Sequence, residues 1–103
     1  MKKVFVSVPF AGRIEADIRA DMEIGMKQYC KEHPGEEIAF IDNYCCQGHT
    51  RVINDSLCKD RVWYLGQAIS KIAYCDDVIF CGDWQNSPGC QVEKLVYNLY
   101  FSK

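Results

Sequence analysis

The stretch from Asp76 to Tyr100 most tightly constrains how this chain can fold, because it reads as a strand, a loop and a helix in succession. Val78 to Cys81 is a short apolar run with β-branched residues, which is typical of a strand buried on both faces. After a polar loop, Ser87 can cap a helix, and Pro88 suits the first helical position because no N–H partner is needed there. Apolar spacing then predicts the buried stripe of this helix: Val92, Leu95, Val96 and Leu99.

The rest of the chain predicts two more strands and two more helices. Strands are expected over Lys3–Val8 and Glu37–Asp42, where short apolar runs are bounded by turn residues. Helices are expected from Arg13 to about Lys31 and from Asn54 or Asp55 to Tyr74, because apolar residues recur at helical spacing. These are Ile14, Ile18, Met22, Met26 and Tyr29 in the first helix, and Cys58, Val62, Leu65, Ile69 and Ile72 in the second.

The resulting order, βαβαβα, defines the expected fold class. Its connections are long enough for right-handed crossovers between parallel strands. We therefore expect an α/β protein with a parallel sheet in a three-layer, doubly wound arrangement, similar to Rossmann and flavodoxin folds. The 103 residues suffice for one small domain spanning residues 1–103. Because a three-stranded sheet is thin, pairing of copies would improve burial, and we expect a homodimer or a higher homo-oligomer.

Composition and charge exclude several classes of partner. With 49% hydrophobic and 25% charged residues, the chain has the composition of a globular protein rather than a disordered one. A net charge of −2 provides no electrostatic reason to expect binding to nucleic acid or to an anionic membrane. The apolar stretch behind the N-terminal lysines ends at Pro9–Gly12, which is too short for a secretory signal.

The chain contains seven cysteines, and their number is odd. An odd count, irregular spacing and the lack of a signal favour reduced thiols in the cytoplasm over a disulfide framework. Most are expected to be small apolar residues in the core. Cys45, Cys46 and His49 leave open a metal site in the loop, but no second pair with ligand spacing follows, so we expect neither a metal nor another cofactor.

Several polar residues are expected at the carboxyl ends of the strands, where open α/β sheets bind ligands beside helix N-termini. Glu93 and Ser87 would face this crevice. Asp83 is the better candidate for a second carboxylate, although an ordinary loop role is the alternative. Trp84 either stacks on a ligand or anchors its turn. Arg13 places a cation at a helix N-terminus, which opposes the helix dipole and indicates an anionic partner.

Two segments resemble a known family, the nucleoside 2-deoxyribosyltransferase-like superfamily, and most closely its small bacterial and phage members of unassigned function. VFVSVPFAG, residues Val4 to Gly12, is similar to the family's first strand and its glycine-containing loop. CDDVIFCGDWQNSPGCQVE, residues Cys75 to Glu93, is similar to its later strand, its Trp-x-x-Ser-x-Gly loop and its catalytic glutamate. The spacing from Gly89 to Glu93 is also that of the family. These motifs cover about a quarter of the chain.

The resemblance implies chemistry at the N-glycosidic bond of a nucleoside or nucleoside 5′-monophosphate. Glu93 would be the nucleophile that attacks the anomeric carbon, and Asp83 is the candidate general acid. Ser87 matches a position that contacts the sugar or a 5′-phosphate. The substrate-binding residues expected from the resemblance and the loop context are Phe5, Ser7, Gly12, Arg13, Trp84, Ser87 and Gly89.

The chain also departs from the family pattern at three positions. Phe5 replaces a tyrosine that helps to orient the glutamate, Val8 replaces a glycine, and Ala68 replaces an aspartate. Two of three expected catalytic groups are therefore absent. The alternative hypotheses are a catalytically silent nucleotide-binding module and an interaction domain that contacts a protein partner through residues 43–52.

Overall fold

The computed structural model describes residues 1–10, 12–42 and 60–101. Its elements follow the expected order, with a short 3-10 helix at Trp84–Asn86 in the last loop. They are β1 (Lys2–Ser7), α1 (Glu15–Glu32), β2 (Ile38–Asp42), α2 (Asp60–Ile72), β3 (Asp77–Phe80) and α3 (Pro88–Tyr100). The predicted order and element types are confirmed, and the expected start of the second helix at residue 54 or 55 lies outside the described residues.

The three strands form one parallel sheet in the order β2-β1-β3. In the central strand, Phe5 is paired with Ile41 on one side and with Val78 on the other. Ser7, at the carboxyl end of β1, is paired with Phe80 at the carboxyl end of β3. The protein is therefore a mixed α/β fold in which the loops after β1 and β3 start side by side.

Two apolar clusters make up the core, and neighbouring strand residues contribute to different clusters. One joins α1 to the sheet through Val6, Val8, Ile18, Met22 and Cys81. The other joins α2 and α3 to the sheet, with Phe5, Ala68, Ile72 and Val78 at its centre and Val96, Tyr97 and Phe101 packed against it.

The predicted buried stripe of α3 is wrong for three of its four residues. Val92, Leu95 and Leu99 are 40%, 55% and 66% exposed, whereas Val96 packs against the core. The inner face of α3 instead carries Cys90 and Glu93, both buried. Leu95 follows Glu93 by two residues, which places it about 200° around the helix. Because Glu93 faces the sheet, the aliphatic residues Val92, Leu95 and Leu99 face away from it.

Two other expected core residues, Ile14 and Val62, are also exposed. Ile14 caps α1 in an extended conformation, so it precedes the helical stripe that Ile18 and Met22 continue. On α2 the inner face passes through Ala68 and Ile72. Val62 precedes Ala68 by six residues and therefore lies about 240° away around the helix.

Helix α1 ends as the sequence predicts. Its last residue is Glu32, and the following turn includes Gly35 in a left-handed conformation with a φ of 81°. Of the helices within the described residues, none is long and apolar enough to cross a membrane.

Candidate functional site

A buried hydrogen bond joins the end of β1 to α3. The Ser7 hydroxyl donates to Oε1 of Glu93 at 2.6 Å. Ser7 is 1% exposed and Glu93 is 8% exposed, so the carboxyl group is almost fully removed from water. The sequence predicts both residues at the site, and the structure brings them into direct contact across 86 positions of sequence.

The surroundings of Glu93 alter its acidity. Burial raises the pKa of the Glu93 carboxyl above the ordinary value of 4.5, because the charged form loses its hydration. The hydrogen bond from Ser7 stabilises the carboxylate and offsets part of this rise in pKa. The Glu93 carboxyl group therefore has a higher pKa than an exposed glutamate, even though it accepts a hydrogen bond from Ser7.

Ser87 begins α3, as its place before Pro88 predicts. Its Oγ accepts a hydrogen bond from the Cys90 backbone N–H at 3.4 Å, and Pro88 is the first helical residue. Glu93 then lies in the second turn on the inner face. Because Ser87 sets the first turn of α3, it also determines the position of the Glu93 carboxylate beside the end of β1.

The sequence reasoning missed Cys90 as part of this group. Cys90 is buried, and its backbone N–H donates to the Ser87 Oγ that caps the helix. Burial raises the pKa of the Cys90 thiol, while the hydroxyl groups of Ser7 and Ser87 act in the opposite direction. Its position three residues before Glu93, on the same helical face, is the signal that could have identified it. Ser7, Ser87, Cys90 and Glu93 form the candidate site.

Arg13 lies within an internal ion pair. Its guanidinium Nη2 is 2.7 Å from Oδ2 of Asp21, and its Nη1 donates to the Pro9 carbonyl oxygen at 2.9 Å. The cation at this helix start therefore has an anionic partner in the chain itself. Neighbouring Gly12 has a φ of 72°, and apart from its chain neighbours no atom of the described residues lies within 4 Å of where its Cβ would be.

Trp84 packs on the aromatic residues at the end of β3. Its ring centroid is 5.3 Å from that of Phe80. The Lys94 ammonium lies 5.6 Å from the centroid of Trp84, 4.9 Å from that of Phe80 and 5.0 Å from that of Tyr97. The sequence reasoning did not identify Lys94. Trp84 therefore packs against the end of β3, and the Lys94 ammonium lies beside all three aromatic rings.

Asp83 and Gly89 lie between the end of β3 and the first turn of α3. Asp83 is exposed, and its two carboxylate oxygens accept from the Asn86 side-chain amide at 2.9 and 2.8 Å. Gly89 lies in the first turn of α3, with no atom within 4 Å of where its Cβ would be.

Phe5 is 1% exposed and belongs to the same apolar cluster as Ala68. Two of the positions at which the sequence departs from the family pattern therefore share one buried region. An apolar ring and a methyl group occupy it, where the resemblance would expect a phenol and a carboxylate.

A metal site was left open by the sequence at Cys45, Cys46 and His49, and these residues, like the loop over residues 43–52, lie outside the described part of the chain. Over residues 1–10, 12–42 and 60–101, no group of three potential metal ligands is present.

No protein-family model, no curated protein and no solved structure matches this chain. The case for a function therefore depends on the residues of the candidate site and on the resemblance of its two motifs.

Proposed function

We propose that the protein cleaves or transfers the N-glycosidic bond of a small nucleoside or nucleoside 5′-monophosphate, with Glu93 as the nucleophile. The observation that carries this proposal is the buried hydrogen bond between Ser7 and Glu93 at the carboxyl end of β1. A carboxylate that is shielded from water and oriented by one hydroxyl is suited to attack a carbon with oxocarbenium character.

In the proposed reaction, a Glu93 carboxylate oxygen forms a bond to C1′ while the bond from C1′ to the base nitrogen breaks. The electron pair of that bond goes to the base, which takes up a proton. Water or a second base then attacks C1′, the glycosyl ester breaks, and Glu93 is regenerated as a carboxylate. Asp83, whose carboxylate oxygens accept from Asn86, is the candidate source of that proton. The attacking form is ionised, so the rate should rise with pH through the raised pKa of Glu93.

A doubly wound arrangement of the sheet would place a ligand crevice at the same site. We propose that the sheet is doubly wound in three layers, because α1 packs on one cluster of strand residues and α2 and α3 pack on the other. In that arrangement the crevice lies where the loops after β1 and β3 diverge to opposite faces, which is the usual ligand position in such sheets. Ser7 and Ser87 lie at these two loops.

We also propose that the cysteines are reduced and that the protein works in the cytoplasm. Among the described residues, the free cysteines are Cys30, Cys75, Cys81 and Cys90. Free thiols, two of them buried, are consistent with a protein that works in the reducing cytoplasm.

A catalytically silent nucleotide-binding module is the second candidate function. It is favoured by the apolar cluster that contains both Phe5 and Ala68, because the helper groups expected from the family pattern are missing there. Such a module would retain the fold and the crevice but would leave the glycosidic bond intact.

The proposed activity is tested by release of free base from ribo- and deoxyribonucleosides and their 5′-monophosphates. We expect wild type to release base from at least one of them, and Glu93→Gln to reduce this by at least 100-fold because the nucleophile is lost. Glu23→Gln, an exposed change on α1, is the matched control and should retain the rate. Equal release by wild type and Glu93→Gln would refute the nucleophile assignment.

The two candidate functions are separated by binding measurements on the same compounds. A silent module should show a shift in Tm with a nucleoside or nucleotide and no base release. Absence of both binding and turnover across the panel would contradict both functions and would favour the interaction domain expected from residues 43–52.

A further inference from the structure

Asp21, in the middle of α1, is attached to the loop that follows β1. Its Oδ2 lies 2.7 Å from Arg13 Nη2, and Arg13 in turn donates to the Pro9 carbonyl oxygen at 2.9 Å. The two charged side chains are 26% and 29% exposed, so this ion pair is partly screened from water. The carboxylate therefore ties the connection between β1 and α1 to the helix.

The same carboxylate also contacts the loop that follows β3. Gly82 has a φ of 63°, and a Cβ atom at this position would overlap Oδ2 of Asp21. Both the left-handed conformation and the close approach of the carboxylate require glycine here. Gly82 directly follows Cys81, whose backbone N–H donates to the Ser7 carbonyl oxygen at 2.8 Å. Asp21 is thus in contact with both loops that diverge beside Ser7.

We propose that Asp21 is a positioning residue that holds the β1–α1 and β3–α3 loops in place around Ser7 and Glu93. One loop begins at Ser7, and the other contains Ser87, the cap of the helix that carries Glu93. Asp21 acts through these loops rather than on the reacting atoms. Its effect on the reaction rate rests on the proposed function, whereas its effect on the loops does not.

The effect on the loops is tested by hydrogen exchange in Asp21→Asn, which removes the charge and keeps the side-chain size. We expect exchange to become about tenfold faster in peptides covering residues 8–14 and 81–87, with β1 and β2 unchanged. Glu23→Gln is the matched control, because it removes a solvent-exposed ion pair with Lys27 on the same helix. Exchange in Asp21→Asn equal to that of wild type would overturn the proposal.

Gly82→Ala provides a second variant that leaves the charge of Asp21 intact. The added methyl group must displace the Asp21 carboxylate, so exchange should also increase in residues 8–14, which do not adjoin Gly82 in sequence. An increase confined to residues 81–87 would show that the two loops are not linked through Asp21 and would contradict the proposal.

The rate of base release then separates positioning from general stability. In Asp21→Asn we expect kcat to fall about tenfold and KM to change less than twofold, because the site geometry changes while substrate contacts remain. Loosened loops with an unchanged kcat would refute the positioning role. If wild type releases no base, the proposed function fails, and the exchange measurement alone decides whether Asp21 holds the loops.

Discussion

Glu93 contributes to stability in a way that depends on pH. Its pKa is higher in the folded protein than its ordinary value of 4.5, since burial disfavours the carboxylate. The favourable contribution of the protonated form is therefore complete below about pH 4 and is lost as the pH rises through the folded-state pKa. Above the raised pKa, the folded protein carries the cost of a buried carboxylate that accepts a hydrogen bond from Ser7.

We therefore predict that Glu93→Gln is more stable than wild type at pH 7, by about 1 kcal/mol, and that this difference disappears near pH 4. The glutamine keeps an oxygen that can accept from Ser7 but carries no charge. Urea unfolding of both proteins across this pH range is the measurement, with Glu37→Gln at an exposed position as the control. A Glu93→Gln variant that is less stable than wild type at pH 7 would contradict this view of the site.

The motifs predicted which residues belong to the site, but they could not predict how deeply these residues are buried or what they contact. Ser7, Ser87 and Glu93 stand at positions that the resemblance identifies. The bond between Ser7 and Glu93 spans 86 positions, so it depends on how α3 is seated on the sheet. Cys90 and Asp21 were missed because their roles arise from contacts with other elements, not from any local pattern.

Helix α3 meets the sheet with a different face from the one that its apolar spacing predicts. The aliphatic residues Val92, Leu95 and Leu99 have ideal helical spacing, but they face outward. A hydrogen bond to the buried Glu93, together with packing of Tyr97 on Phe80, determines which face meets the sheet. Hydrophobic spacing identified the helix, and Ser87 and Pro88 identified its start, but neither signal could foresee that an ionisable residue would face inward.

Helix α1 packs closely on β3 at Gly25. A Cβ atom there would overlap the Sγ of Cys81. We predict that Gly25→Ala lowers the free energy of unfolding by about 1–3 kcal/mol because the helix must shift outward. In a Cys81→Ala background, most of this added cost should disappear, since the overlapping sulfur is absent.

Gly66→Ala is the matched control for this change, because among the described residues no atom beyond the adjoining backbone of α2 lies within 4 Å of the added Cβ. It should stabilise the protein by about 0.5–1 kcal/mol through helix propensity. Denaturant unfolding of the four variants is the measurement. An equal cost of Gly25→Ala with and without the Cys81 sulfur would show that close packing of α1 on β3 is not its cause.

For the molecule as a whole, the fold class could be predicted from the sequence, but which apolar residues lie on the surface could not. The order of strands and helices followed from short apolar runs and turn residues, and the parallel three-stranded sheet confirms it. The outer face of α3, consisting of Val92, Leu95 and Leu99, was expected in the core and is exposed. These three residues place aliphatic side chains along one exposed face of α3.

The homo-oligomer remains a prediction, and we propose the outer face of α3 as the surface through which two copies associate. Leu95→Lys should weaken self-association by about tenfold or more, because a symmetric pair would bring two introduced charges together. Ile24→Lys, at an exposed position on α1, is the control and should leave association unchanged. Sedimentation equilibrium measures this directly, and a wild-type protein that is monomeric at high concentration would contradict it.

The nucleophilic role of Glu93 can be tested most directly by looking for the covalent glycosyl intermediate. Wild-type protein is mixed with the nucleoside or nucleotide from which it releases base, quenched in acid and analysed by peptide mass spectrometry. We predict an adduct on the peptide that contains Glu93, pentosyl from a nucleoside or 5-phosphopentosyl from a nucleoside 5′-monophosphate, and none in Glu93→Gln. Base release by wild type without any adduct, or an adduct that persists in Glu93→Gln, would contradict the assignment of Glu93 as the nucleophile.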